Sequence, residues 1–149
     1  MNKKIRTFQG TVYPWHCDQM GHMNVQYYAE KFNQASWQFL SHLGLTTTYL
    51  NENKRGMVAL EQHVKYKREL LALNEISIES QLIEAKGKII RFTHFMMNNE
   101  NNQIASEAEF VALYINMETR KGIELPHFVI EGSKEFAKSA VQFDLRSVL

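Results

Sequence analysis

Only one stretch of this chain carries a long helical period, and nearly everything after it runs at the period of a strand. Between Asn24 and Leu43, apolar residues fall at Val25, Tyr28, Ala29, Phe32, Ala35, Phe39, Leu40 and Leu43. Gaps of three and four residues mark one face of a helix about five turns long. Asn24 is expected as its N-cap and Gly44 as its stop. Gln26, Glu30, Lys31, Asn33, Gln34 and Gln38 form the wet face. Trp37 lies off the stripe and is expected against a second layer or a partner subunit.

A polar loop through Asn51–Lys54 and Gly56 precedes the change to period two. Val58, Leu60, Val64 and Tyr66 are then expected on one side of a strand, with Ala59, Glu61, His63 and Lys65 on the other. Ile76, Ile78 and Leu82 form a second run, ending at Lys86-Gly87-Lys88; Ile90, Phe92 and Met96 form a third, ending in Asn98–Asn102. Phe110 to Met117 is apolar on both faces, as a strand inside a sheet would be. The links are short enough for hairpins. With an opening strand at Thr7–Tyr13, the order is strand, long helix, four strands. Leu125-Pro126 closes the unit and Glu131–Ala140 adds a short helix. An antiparallel sheet with one long helix to cover it is an α+β, two-layer arrangement.

At 149 residues the chain fits a single domain over 1–149, with a core of about 6–126 and an extension over 127–149. A formal net charge of +1 argues against a nucleic-acid partner. The lone Cys17 leaves no internal disulfide framework and no cysteine-based zinc site. No apolar run reaches the ~18–20 residues of a membrane span, and the basic N-terminus has no apolar run behind it, so a cytoplasmic location is expected.

The chemistry concentrates just before the helix, in Asp18-Gln-Met-Gly-His22-Met-Asn24. Here a carboxylate, an imidazole and the open amides of a helix N-terminus fall within a few residues. Such amides carry partial positive charge and unpaired donors. A carboxylate beside them can attack, or activate water at, a carbonyl whose oxygen the amides hold. The segment therefore proposes acyl transfer. Each residue also has a plainer use: Asp18 as a turn acid, His22 as a backbone ligand, Asn24 as a cap, Tyr28 as core. Gly21 suits a positive φ or close approach of a substrate. Cys17 between His16 and Asp18 imitates a thiol triad, but neighbours on extended chain point to opposite sides.

Asp18-x-x-Gly-His22-x-Asn24 with Tyr28, the amphipathic helix, Leu43-Gly44, Glu61…Tyr66-Lys-Arg-Glu-Leu70 and Leu125-Pro126 resemble the 4-hydroxybenzoyl-CoA thioesterase-like family of acyl-CoA thioesterases. The resemblance covers roughly residues 6–126. It implies a hotdog fold, a five-stranded antiparallel sheet wrapped around one long central helix. It also implies hydrolysis of a coenzyme A thioester by a homodimer or homotetramer, with neither metal nor bound cofactor. On it, Asp18 is the nucleophile or base, the Val25 backbone N–H the oxyanion donor, and His22 the group that orients water or contacts the thioester. Gly21, Asn24 and Tyr28 fall at the substrate. His16 departs from the pattern, since many relatives carry another acid there, and Glu61 is the spare carboxylate. Lys65, Lys67 and Arg68 form one basic cluster and Lys86, Lys88 and Arg91 another; Lys88 and Arg91, flanking a glycine turn, are the residues expected at the CoA phosphates. Two other functions fit the same fold. An acyl-CoA hydratase needs an Asp and a His presented together, and a non-catalytic acyl-CoA-binding subunit needs only the pocket.

Overall fold

A computed structural model describes residues 3–136. Its five strands are β1 (Lys4–Thr11), β2 (Arg55–Tyr66), β3 (Glu75–Lys86), β4 (Ile89–Asn98) and β5 (Gln103–Asn116). They form one antiparallel sheet in the order β1-β3-β4-β5-β2. Helix α1 (Val25–His42) lies across it, and α2 (Thr47–Glu52) bridges to β2. Residues 127–136 are helical as well; the part of the expected short helix over 137–140 lies outside the described residues. That helix starts earlier than expected because Pro126 opens it, its carbonyl accepting the Val129 N–H at 3.0 Å.

The apolar stripe of α1 packs Tyr28, Phe32, Ala35, Phe39 and Leu40 onto Phe92, Phe110, Ile78 and Ile90 of the sheet. Asn24 caps its N-terminus, Oδ1 accepting the Gln26 N–H at 3.0 Å. Gly44, at φ +90°, ends it: the Leu45 N–H returns to the Leu40 carbonyl and the Gly44 N–H to that of Ser41. Three expectations on this stretch are corrected. Val25 and Ala29 are exposed, although Tyr28 between them is buried. Lys31 is buried, its stem lying along the β1 side with Nζ 5.8 Å from the centre of the Phe8 ring. The loop at 51–54 is partly α2, a short helix capped by Thr46 Oγ1 accepting the Tyr49 N–H at 3.1 Å.

The strands also run beyond their apolar runs: β1 begins at Lys4 and ends at Thr11, and β5 begins at Gln103. Their extra stretches mix polar residues with isolated apolar ones such as Ile5 and Ile104, so hydropathy did not mark them as runs. In β2 the expected alternation is overturned by a bulge. Ala59 opposes Ala112 but Glu61 opposes Val111, leaving Leu60 unpaired. Opposed residues share a face, so Met57 and Ala59 before the bulge, and Gln62, Val64 and Tyr66 after it, lie on the helix side. Val58 and Leu60 face outward, 38% and 53% exposed. β2 is thus a 12-residue edge strand with apolar residues in the open.

Candidate active site

The segment after β1 turns back on itself before entering α1. Pro14–His16 form one 3-10 turn, and the His16 carbonyl accepts the Asn24 N–H at 2.8 Å. Cys17 pairs with Met23 in an isolated antiparallel bridge, and the Met23 N–H reaches the Leu70 carbonyl at 2.8 Å. Between these anchors Asp18 opens a tight turn closed by the Gly21 N–H on its carbonyl at 2.9 Å, with Gly21 at φ +81°. A Cβ at that φ would be strained, so the turn requires glycine.

This turn fixes the Asp18 carboxylate. Oδ1 accepts the Met20 N–H at 2.9 Å and Oδ2 accepts Asn24 Nδ2–H at 2.8 Å. The Asn24 amide, then the Met20 N–H, hold the carboxyl below the usual carboxylate value, with His22 adding in the same direction. Asp18 is therefore an oriented anion at neutral pH.

The amides of the first helical turn are nearly all used. Gln26 donates to Asn24 Oδ1 and Tyr27 to the Asn24 carbonyl at 3.0 Å. The Val25 N–H, first in the helix, has no acceptor among the described residues. It sits on a cleft of about 270 Å³ lined by His22, Met23, Val25, Tyr28, Tyr66, Lys67, Arg68 and Glu69. One wall of this cleft is built by a second irregularity. Met96 opposes Ser106 but Met97 opposes Ile104, which leaves Ala105 with no residue opposite it on β4. The Ala105 carbonyl accepts both the Lys67 N–H (2.8 Å) and the Arg68 N–H (3.1 Å) where residues 67–69 line the cleft.

Asp18, Gly21, His22, Asn24 and Val25 thus come together in one turn and helix end, and His22, Val25 and Tyr28 share the cleft. His22 Nδ1 is 3.3 Å from the Met23 carbonyl. Glu61 is not brought to the site: it is exposed on β2 and lines neither this cleft nor the smaller cavity between α1 and the middle of β2. Lys88 and Arg91 lie at the opposite end of the sheet, where Arg91 Nε is 3.6 Å from Glu84 Oε2. The charged residues that line the cleft within one chain are Lys67, Arg68 and Glu69. Lys67 and Arg68 belong to the first basic cluster named in the sequence and Glu69 to the Tyr66–Leu70 stretch; the sequence did not show that they line this cleft, where Lys67 and Arg68 are held by the Ala105 carbonyl of another strand. The thiol triad does not form. His16 Nδ1 accepts the Tyr13 N–H at 3.0 Å, and its ring packs on Tyr27 at 4.5 Å. Burial lowers its pKa, so it is neutral. Among the described residues no cluster of His, Cys, Asp and Glu could hold a metal ion.

Comparison with known proteins agrees with this architecture. A hypothetical protein of Staphylococcus aureus solved in complex with CoA superposes with a TM-score of 0.84 at 20% identity, over 93% of this chain and 86% of that one. The DHNA-CoA thioesterase of the same organism gives 0.76 at 16%, over 92% and 91%. These show a shared hotdog fold. The betainyl-CoA thioesterase of Pseudomonas aeruginosa is 20% identical over 79% of this chain and 74% of its own. The L-carnitine dehydrogenase/betainyl-CoA thioesterase of Ruegeria pomeroyi is 28% identical over 70% of this chain, a match that spans only 21% of that longer protein. The Thioesterase-like superfamily model matches residues 12–133, taking in the Asp18 turn, α1 and all of the sheet after β1; the chain belongs to that superfamily.

Proposed function

We propose that the protein is an acyl-CoA thioesterase, with Asp18 as its reacting carboxylate and the Val25 amide as its oxyanion donor. One observation supports this: the Asp18 carboxylate is held at 2.8 Å by the side chain of Asn24, the cap residue that directly precedes the Val25 N–H, and that N–H has no acceptor among the described residues. A thioester carbonyl placed there has its oxygen on Val25 N–H, where charge develops in the transition state. Two routes balance. Asp18 adds to the carbonyl carbon, the C–S bond breaks, the CoA thiolate takes a proton from water, and a second water hydrolyses the anhydride. In the other, Asp18 takes a proton from the attacking water and the thiolate leaves to be protonated in turn. His22 orients that water or contacts the thioester, Gly21 leaves room for it, and Tyr28 lines the acyl side.

The reading extends to a homodimer or homotetramer. β2 leaves a long edge unpaired, with Val58 and Leu60 exposed. Two-fold pairing of that edge with its copy is antiparallel, so the Arg55 end of one β2 meets the Tyr66 end of the other. Lys88 of the partner subunit, at the Arg55 end of its own sheet, is then the cation offered to a CoA phosphate, with Arg91 behind it.

Free-thiol release from a panel of short, long, branched and aromatic acyl-CoAs tests the activity, and betainyl-CoA, the substrate named for several relatives, belongs in that panel. Release from at least one member is expected. No release with acyl-CoA still bound would point to a binding subunit. Loss of double-bond absorbance from an enoyl-CoA would point to a hydratase.

A further inference from the structure

The Asp18 turn is closed by two backbone rungs, and one of them belongs to His16. The Asp18 N–H donates to the His22 carbonyl at 3.2 Å, and the Asn24 N–H to the His16 carbonyl at 2.8 Å. The backbone of Asn24 is thus set by that of His16. With it go the amide that holds Asp18 Oδ2 at 2.8 Å and, one residue on, the Val25 N–H. His16 is fixed in turn by its own side chain. The Val12 N–H reaches the Asn74 carbonyl at 2.9 Å. The next N–H along the chain, that of Tyr13, goes to His16 Nδ1 at 3.0 Å, while the His16 N–H returns to the Tyr13 carbonyl at 2.9 Å. The same ring lies on Tyr27 of α1, centres 4.5 Å apart at 40°. One imidazole therefore ties the chain leaving β1 to the first turn of α1, with the Asp18 turn strung between them.

An imidazole accepts a hydrogen bond only through an unprotonated nitrogen. The setting of His16 keeps one: burial, then the Lys31 ammonium on α1, lower its pKa against the opposing pull of Glu30. A carboxylate or carboxamide at this third position of the turn could make the same bond to the Tyr13 N–H, as in a capping box. A carboxylate would also add a second negative charge two residues before Asp18 and favour its protonation. The neutral ring supplies the acceptor without that charge.

Resting on the thioesterase reading, we propose that His16 is a positioning residue for the reaction: by accepting the Tyr13 N–H it fixes the rung that aims Asn24 at Asp18 and the Val25 N–H at the thioester oxygen. It touches neither the substrate nor the reacting atoms. The test measures kcat and KM on the acyl-CoA that wild type turns over fastest, with unfolding midpoints on the same samples. His16→Phe keeps a ring on Tyr27 and deletes the acceptor; its kcat should fall about tenfold with KM within about twofold of wild type, because misplacement costs turnover rather than binding. His16→Gln offers an acceptor from the same position and should stay within about threefold of wild type in kcat. In an Asn24→Ser background the loss from His16→Phe should be smaller, since both changes act on the hold over Asp18. A purely structural role would lower the midpoint and leave the turnover of folded protein alone. Wild-type kcat in His16→Phe, a loss carried by KM, or losses that multiply fully with Asn24→Ser would overturn the proposal. If His16→Phe does not fold, His16→Gln still decides, because a kcat about tenfold below wild type at an unchanged midpoint overturns it as well. Each of these results leaves the thioesterase reading standing. No thiol release by wild type from any acyl-CoA would overturn that reading, and this proposal with it.

Discussion

Asn24 serves two purposes with one side chain: its oxygen caps α1 and its nitrogen holds Asp18 Oδ2 at 2.8 Å. The two can be separated. Serine caps helices about as well as asparagine, but its short side chain does not span to Asp18. Asn24→Ser should leave the unfolding midpoint nearly unchanged while lowering kcat by roughly tenfold or more through lost orientation. It should also move the acid limb of kcat/KM upward, because the Asn24 amide is the largest cause of Asp18's lowered pKa. In wild type that limb is expected below the ordinary carboxylate range, because the Asn24 amide and the Met20 N–H lower the Asp18 pKa. A pH–rate profile whose acid limb does not move would contradict this. The Asp18 carboxylate's setting was legible in the sequence because both of its partners, Met20 and Asn24, lie within the same seven residues. The place of Glu69 at the cleft was not, since the stretch before it is held by the carbonyl of Ala105, on another strand, through Lys67 and Arg68.

Among the elements, the contact of α1 with the sheet carries a buried polar chain that no hydropathy pattern reveals. His94 on β4 is fully buried, with Ser36 Oγ of α1 at 2.9 Å from Nε2 and Ser80 Oγ of β3 at 2.6 Å from Nδ1. Thr7 Oγ1 of β1 is 2.7 Å from Ser80 Oγ. Ser36 Oγ–H donates to the Phe32 carbonyl at 2.9 Å, which leaves its oxygen to accept His94 Nε2–H. The ring is thus a neutral tautomer accepting Ser80 at Nδ1, and burial lowers its pKa to about 3. A histidine kept neutral in the fold but free to charge when unfolded costs nothing above pH 6.5. Below that, the unfolded state binds the proton first, so stability falls progressively down to about pH 3. Denaturant unfolding at pH 5 should show on the order of 2 kcal/mol less stability than at pH 7.5 from this group, and His94→Gln should remove that part of the slope. The helix, its caps and the existence of four strands after it could be read from periodicity. The β2 bulge could not, since one unpaired Leu60 changes no composition yet swaps which residues face α1.

For the molecule as a whole, the open edge of β2 and the position of Lys88 give oligomerisation a catalytic consequence. Val58→Lys with Leu60→Lys places two charges on an exposed strand without touching the core, and edge charge opposes pairing. Sedimentation should show the doubly substituted protein at lower mass than wild type. Its circular dichroism should be preserved, and its KM for acyl-CoA should rise. A wild-type protein that sediments as a monomer at micromolar concentration would remove the subunit-pairing part of the reading. No helix among the described residues is long and apolar enough to cross a membrane, consistent with the absence of any such run in the sequence. The measurement that goes most directly to the central claim is thiol release by wild type and Asp18→Asn on the acyl-CoA that wild type turns over fastest, with unfolding midpoints taken on the same samples. A kcat lower by about 10³-fold at an unchanged midpoint is predicted; an Asp18→Asn enzyme within tenfold of wild type would contradict it.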